Sequence, residues 1–131
     1  MRDWTLEEAT AALPRVREIV RRIRELIAQA RERAEHPGGG GSGNGSRPSS
    51  NGHGPRSRSQ SEQELHALVN ELTNDGIIVR DPARGLIDFP ARSASGEQYL
   101  LCWLDGEDAI EWWHWPDAGF AGRTPLAEPP D

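Results

Sequence analysis

Five side chains in the C-terminal half have the types that do chemistry: Asp88, Cys102, Glu111, His114 and Arg123. Carboxylates, a thiol and an imidazole are a transition-metal donor set, and a histidine beside an acid is also the start of general acid–base chemistry. Their spacing matches neither an HExxH nor a CxxC signature. Asp88 interrupts the apolar run Leu86-Ile87-Asp88-Phe89. A backbone N–H, Arg84 or Arg123 is its expected partner. Cys102 lies between Leu101 and Trp103 and reads as a small packing residue whose apolar neighbours raise its pKa. Gly119-Phe120-Ala121-Gly122-Arg123 lacks the lysine and following helix of a phosphate loop. Phe120 is expected to plug the core, and Arg123 to return to Asp88 or Asp117.

Strand parity decides whether these groups can meet. Gln98 to Trp115 holds four of the five tryptophans and reads as two strands joined at Asp105-Gly106, a hairpin signal. Side chains alternate along a strand. A two-residue loop pairs Trp103 with Asp108, and a four-residue loop pairs it with Ile110. Both registers place Tyr99, Leu101, Trp103, Ile110, Trp112 and His114 on one face. Cys102, Glu111, Trp113 and Trp115 are left on the other. That parity separates His114 from Cys102 and Glu111, so neither a metal site nor a cofactor is expected. Ile87 and Phe89 should prefer the core, which sends Asp88 to the side of Cys102 and Glu111. Trp113 and Trp115 beside Glu111 suggest a dimer interface, a surface covered by the C-terminal tail, or a ligand cleft with aromatic walls.

The elements that position these residues follow from periodicity. Thr5-Leu6-Glu7-Glu8 is a capping box. Leu13, Val16, Val20, Ile23, Ile27, Ala30 and Ala34 then form a heptad seam of a long helix over 5–35, flanked by the ion pairs Glu18–Arg22 and Arg21–Glu25. Pro14 should kink or divide it. Residues 36–60 are Gly/Ser-rich without aliphatic or aromatic side chains. They should form a flexible linker in which His36 and His53 are solvated. Ser61-Glu62-Gln63-Glu64 caps a second helix over 61–75, carrying Leu65, Leu68 and Leu72 and closed by Gly76. Residues 76–126 then read as strands at 77–79, 86–89, 97–104 and 109–115, followed by a C-terminal turn motif. The expected architecture is α+β: an antiparallel helical hairpin packed beside a small antiparallel sheet of about four strands, in one domain of 131 residues.

Charge narrows the partners. The net charge of -6 is uneven, with +1 over 1–35, +3 over 36–60 and -10 over 61–131. An acidic aromatic half repels a phosphate backbone, so no nucleic-acid partner is expected. No run reaches the length of a membrane span, the first residues MRDWTLEEAT hold no apolar leader core, and the lone cysteine excludes an internal disulfide. A soluble, cytoplasmic protein is the expectation.

Several blocks carry a resemblance: Asp81 to Pro90 (DPARGLIDFP), Leu101-Cys102-Trp103, Trp113-His114 and Gly119 to Arg123, set behind a capped helix with an internal Leu-Pro. Together the chain resembles a family of short bacterial and archaeal proteins catalogued only as a domain of unknown function. The resemblance covers everything except the linker and implies no activity. Relatives often place an acid directly after the histidine, where this chain has Trp115. They also tend to carry a charged helical tip in place of the Gly/Ser tract.

Three function classes are consistent with this reading. A protein-interaction or scaffold module, with a protein partner or homo-oligomer, draws on the heptad seam and outer tryptophans. A small-ligand or anion-binding module would use Trp113, Trp115 and Arg123. A metal-dependent or hydrolase-like enzyme would centre on Asp88, Glu111 and His114.

Overall fold

The computed structural model describes residues 2–35 and 58–130. The tract carrying His36 and His53 lies outside them. Two helices, α1 (Leu6–Glu35) and α2 (Arg58–Asn74), precede the strands β1 (Ile78–Asp81), β2 (Leu86–Arg92), β3 (Gln98–Leu104), β4 (Trp112–His114) and β5 (Thr124–Pro125). The five strands pair antiparallel in chain order. The class is α+β, as expected, with one more strand than the sequence suggests.

The capping box forms as its spacing requires. Glu8 N–H donates to Thr5 Oγ1 at 3.0 Å and Thr5 N–H donates to Glu8 Oε1 at 3.1 Å. Pro14 does not divide α1; it sits on the exposed side, where water can take the carbonyl it frees. The buried stripe is wider than a seam. Ala9, Ile19 and Leu26 join Leu13, Val16, Val20 and Ile23 because α1 packs on both α2 and the sheet. Arg22 does not pair with Glu18. Its Nε and Nη2 reach across to Glu64 of α2 at 2.8 and 3.0 Å, and Nη1 reaches Glu25 at 3.1 Å.

The second helix begins at Arg58, so Ser61 is not its cap. Ser61 is buried inside the first turns, and its Oγ has no hydrogen-bond partner among the described residues. The other end closes as the sequence implies. Ile77 N–H reaches Leu72 O at 3.0 Å, Gly76 N–H reaches Thr73 O at 3.0 Å, and Gly76 takes φ 84°. This is a Schellman closure with glycine just past the helix.

One face of the sheet packs on the helices through Ile87, Phe89, Ala91, Leu101 and Trp103, and Trp4 meets Phe89 edge-on at 5.1 Å. The turn from β1 to β2 depends on Gly85. Its φ is +77°, its carbonyl accepts from Asp105 N–H at 3.0 Å, and an added Cβ would lie 2.6 Å from Asp105 Cβ and 2.9 Å from Val20 Cγ1. Gly85→Ala combines left-handed strain with overpacking and should cost roughly 3 kcal/mol. Gly106→Ala is the control, with φ +109° and nothing within 4 Å of the new methyl, so only the conformational cost applies. Urea denaturation of the two variants checks the difference.

Candidate functional site

The register overturns the expected parity. Leu100 pairs with His114, Leu101 with Trp113 and Cys102 with Trp112. The β3–β4 connection is 105–111, of opposite parity to either loop considered above. Glu107 is the cause. Its N–H donates to Leu104 O at 3.0 Å, and its Oε1 accepts the Leu104 N–H at 2.9 Å, the donor a tight hairpin would send across the ladder. Its carbonyl also takes the Trp103 Nε1–H at 3.0 Å. The chain therefore leaves the ladder after Leu104 and rejoins it at Trp112. Trp112 and His114 move to the face of Cys102, and Trp113 moves to that of Leu101.

On the second strand pair, Asp88 lies opposite Cys102. The core preference of Ile87 and Phe89 sends Asp88 to that side, as expected. Three central strands thus deliver Asp88, Cys102 and His114 to one place. They are 0%, 1% and 2% exposed, and one ligand atom from each lies within 4.8 Å of the others.

The contacts fix the roles of the atoms. His114 Nδ1 is 2.8 Å from Trp115 O. A carbonyl only accepts, so Nδ1 carries the proton. Nε2 faces the carboxylate, 3.1 Å from both Asp88 Oδ1 and Oδ2. A carboxylate also only accepts, so a proton lies between Nε2 and Asp88 in the metal-free protein, in the place a metal ion would take. Arg80 Nε donates to Asp88 Oδ2 at 2.6 Å. Burial, and then the nearby Asp88 charge, push the Cys102 thiol up to about 12. In the absence of a bound cation the sulfur is therefore protonated at neutral pH.

The remaining candidates divide. Arg123 binds neither Asp88 nor Asp117: its Nη2 donates to Glu107 Oε1 and Oε2 at 2.9 and 2.7 Å. Its guanidinium lies 4.9 Å over Trp112 and 4.7 Å over Phe120. Since Trp112 is beside Cys102, the segment after β4 closes over this side of the sheet. Phe120 is not a core plug; it is exposed, between Arg84 and Arg123. Glu111 is exposed and contributes its carbonyl to Leu126 N–H. Trp113 is 5% exposed, and its Nε1–H is taken by Glu128 O at 2.8 Å. Trp115 is half-buried, edge-on to Trp113 at 5.0 Å, and serves the site through its carbonyl.

Two contributors escape the sequence reading. Arg80 lies beyond the expected strand 77–79, next to a bulge at Val79–Asp81. It stands two residues after Ile78, the register partner of Asp88, so it shares the Asp88 face and takes the place of the expected Arg84 or Arg123. Glu107 acts by capturing a strand end. The Asp105-Gly106-Glu107 sequence holds a hint of it, an acid directly after a turn glycine, but the hairpin reading takes precedence there.

No helix among the described residues is long and apolar enough to cross a membrane. Searches of curated proteins and of solved structures find no match. A family model described as an uncharacterised conserved protein, DUF2203, matches residues 2–126, and the chain belongs to that family.

Proposed function

We propose that this chain binds a divalent transition metal, zinc by donor type, through Asp88 carboxylate, Cys102 thiolate and His114 Nε2. The observation that carries the reading is the orientation of His114. Metal-ligating histidines give their other ring N–H to a carbonyl or carboxylate, and the Trp115 carbonyl takes that of Nδ1. Nε2 is left facing two further donor atoms in a buried cluster. Arg80 on Asp88 Oδ2 would orient the carboxylate and leave Oδ1 for the ion. Metal bonds of ~2.0–2.3 Å bring tetrahedral donors to roughly 3.3–3.8 Å of one another. The upper bound of 4.8 Å therefore asks for about an ångström of closure.

Three protein donors with a fourth position open is the pattern of catalytic zinc sites, so the metal-dependent class gains a centre, without Glu111. The scaffold and aromatic-cleft readings drew on Trp113 standing outward. It is buried, so the geometry favours them less.

Chelator-treated full-length protein titrated with Co2+ should bind one equivalent and show a thiolate-to-cobalt charge-transfer band. Cys102→Ser should abolish the band, and His114→Ala should weaken binding at least tenfold, while His36→Ala/His53→Ala should change neither. A folded wild type with no band, or a band that survives Cys102→Ser, would sink the proposal.

A further inference from the structure

The geometry points to a small oxyanion, carboxylate or phosphate, as the ligand of the fourth metal position, bridging the ion and the Arg80 guanidinium. This inference rests on the metal reading. It follows first from charge. A divalent ion with one carboxylate, one thiolate and a neutral imidazole is balanced to zero. Arg80, bonded to Asp88 Oδ2, then leaves the assembly one positive charge in excess. Arg123 does not alter the sum, because Glu107 holds it through both carboxylate oxygens. Asp81, the acid next to Arg80 in the chain, faces Arg84. Solvent screens part of that excess, because the Arg80 side chain is 38% exposed, and an anion shared by the metal and the guanidinium would offset the rest.

It follows second from the shape of the donor. Arg80 spends Nε on Asp88, and its Nη groups have no hydrogen-bond partner among the described residues. The Arg80 side chain is 38% exposed while Asp88 is 0% exposed, so the guanidinium stands between solvent and the buried donors. A guanidinium is planar and rigid, so anchoring Nε fixes where its Nη hydrogens point. One ligand oxygen on the metal and another on Nη is a two-point recognition that carboxylates and phosphates meet and chloride does not.

The test uses full-length protein at saturating Co2+, with metal loading followed by the charge-transfer band. Inorganic phosphate and acetate are titrated separately, with the visible cobalt bands as readout. The expected result is a saturable shift with at least one anion. A response to phosphate alone identifies a tetrahedral oxyanion, and one to acetate a carboxylate. Arg80→Met and Arg80→Lys should weaken that anion roughly tenfold or more, lysine keeping the charge but losing the fork. A band that forms but responds to neither anion, or Arg80 variants that respond with wild-type affinity, overturns this inference and leaves the metal reading standing. A wild type without the band removes both.

Discussion

Asp88→Ala is expected to destabilise the fold by about 3–5 kcal/mol, the usual cost of removing one partner of a buried hydrogen-bonded pair and leaving the other unsatisfied. Asp88 is fully buried and meets His114, itself 2% exposed, through both oxygens at 3.1 Å. Its loss leaves Nε2 facing a void, and Arg80 loses its only acceptor among the described residues. The Arg80 contribution is discounted, because its side chain is 38% exposed and water can replace the carboxylate. Most of the loss belongs to the His114 contact. Domains of this size have about 5–15 kcal/mol to lose, so the variant should melt early and unfold at much lower urea with little change in slope. Asp88→Asn keeps the shape and an acceptor and should lose clearly less. The double replacement Asp88→Leu/His114→Leu separates two explanations. If the cost is that of an orphaned polar group, the apolar pair should recover much of the stability while abolishing cobalt binding. A single Asp88→Ala loss within about 0.5 kcal/mol of zero, the range of ordinary surface changes, would contradict the buried-pair account.

The parts of this fold legible from the sequence are those set by local chemistry or by a strong core preference. Thr5 and Glu8 satisfy each other within one turn, and no distant residue can change that. Gly76 closes α2 because the left-handed position after a helix favours glycine. The position of Asp88 follows from Ile87 and Phe89, whose burial is worth more than any alternative register offers. The illegible parts are those where one side chain diverts the backbone. Glu107 takes the Leu104 N–H, and this sets the parity of the β3–β4 connection and moves His114 across the sheet. Alternation counts residues and has no means to see a carboxylate standing in for a strand. Arg80 escapes for a different reason: the expected strand stops at 79, whereas β1 runs on to Asp81 and carries Arg80 on the face of Asp88, the partner of Ile78. Ser61 differs again. Its Ser-x-x-Glu pattern is a valid cap, but α2 starts three residues earlier and buries the serine.

Trp103→Ala should rank with Asp88→Ala, at about 3–5 kcal/mol, and its effect should reach His114, a proposed metal donor on another strand. The ring is fully buried in the core beneath α1, with the Arg17 guanidinium 5.8 Å from its centroid. Its Nε1–H holds the Glu107 carbonyl, and Arg17 Nη2 holds the next carbonyl, that of Asp108, at 2.9 Å. These bonds pin the connection whose length sets the parity of β4. Truncating the ring removes the packing and frees that connection at once. Trp103→Phe isolates the second effect, since it keeps most of the apolar area and leaves the Glu107 carbonyl without its donor; about 1–3 kcal/mol is expected. Hydrogen exchange at Leu104 should quicken in Trp103→Phe, because Glu107 is then held less firmly to accept that N–H. If the 105–111 connection fixes His114 beside Cys102, Trp103→Phe should also lower cobalt affinity while the protein remains folded. An unchanged affinity would mean that β4 keeps its register through its pairing with β3 and β5 alone, and that Glu107 follows that register instead of setting it.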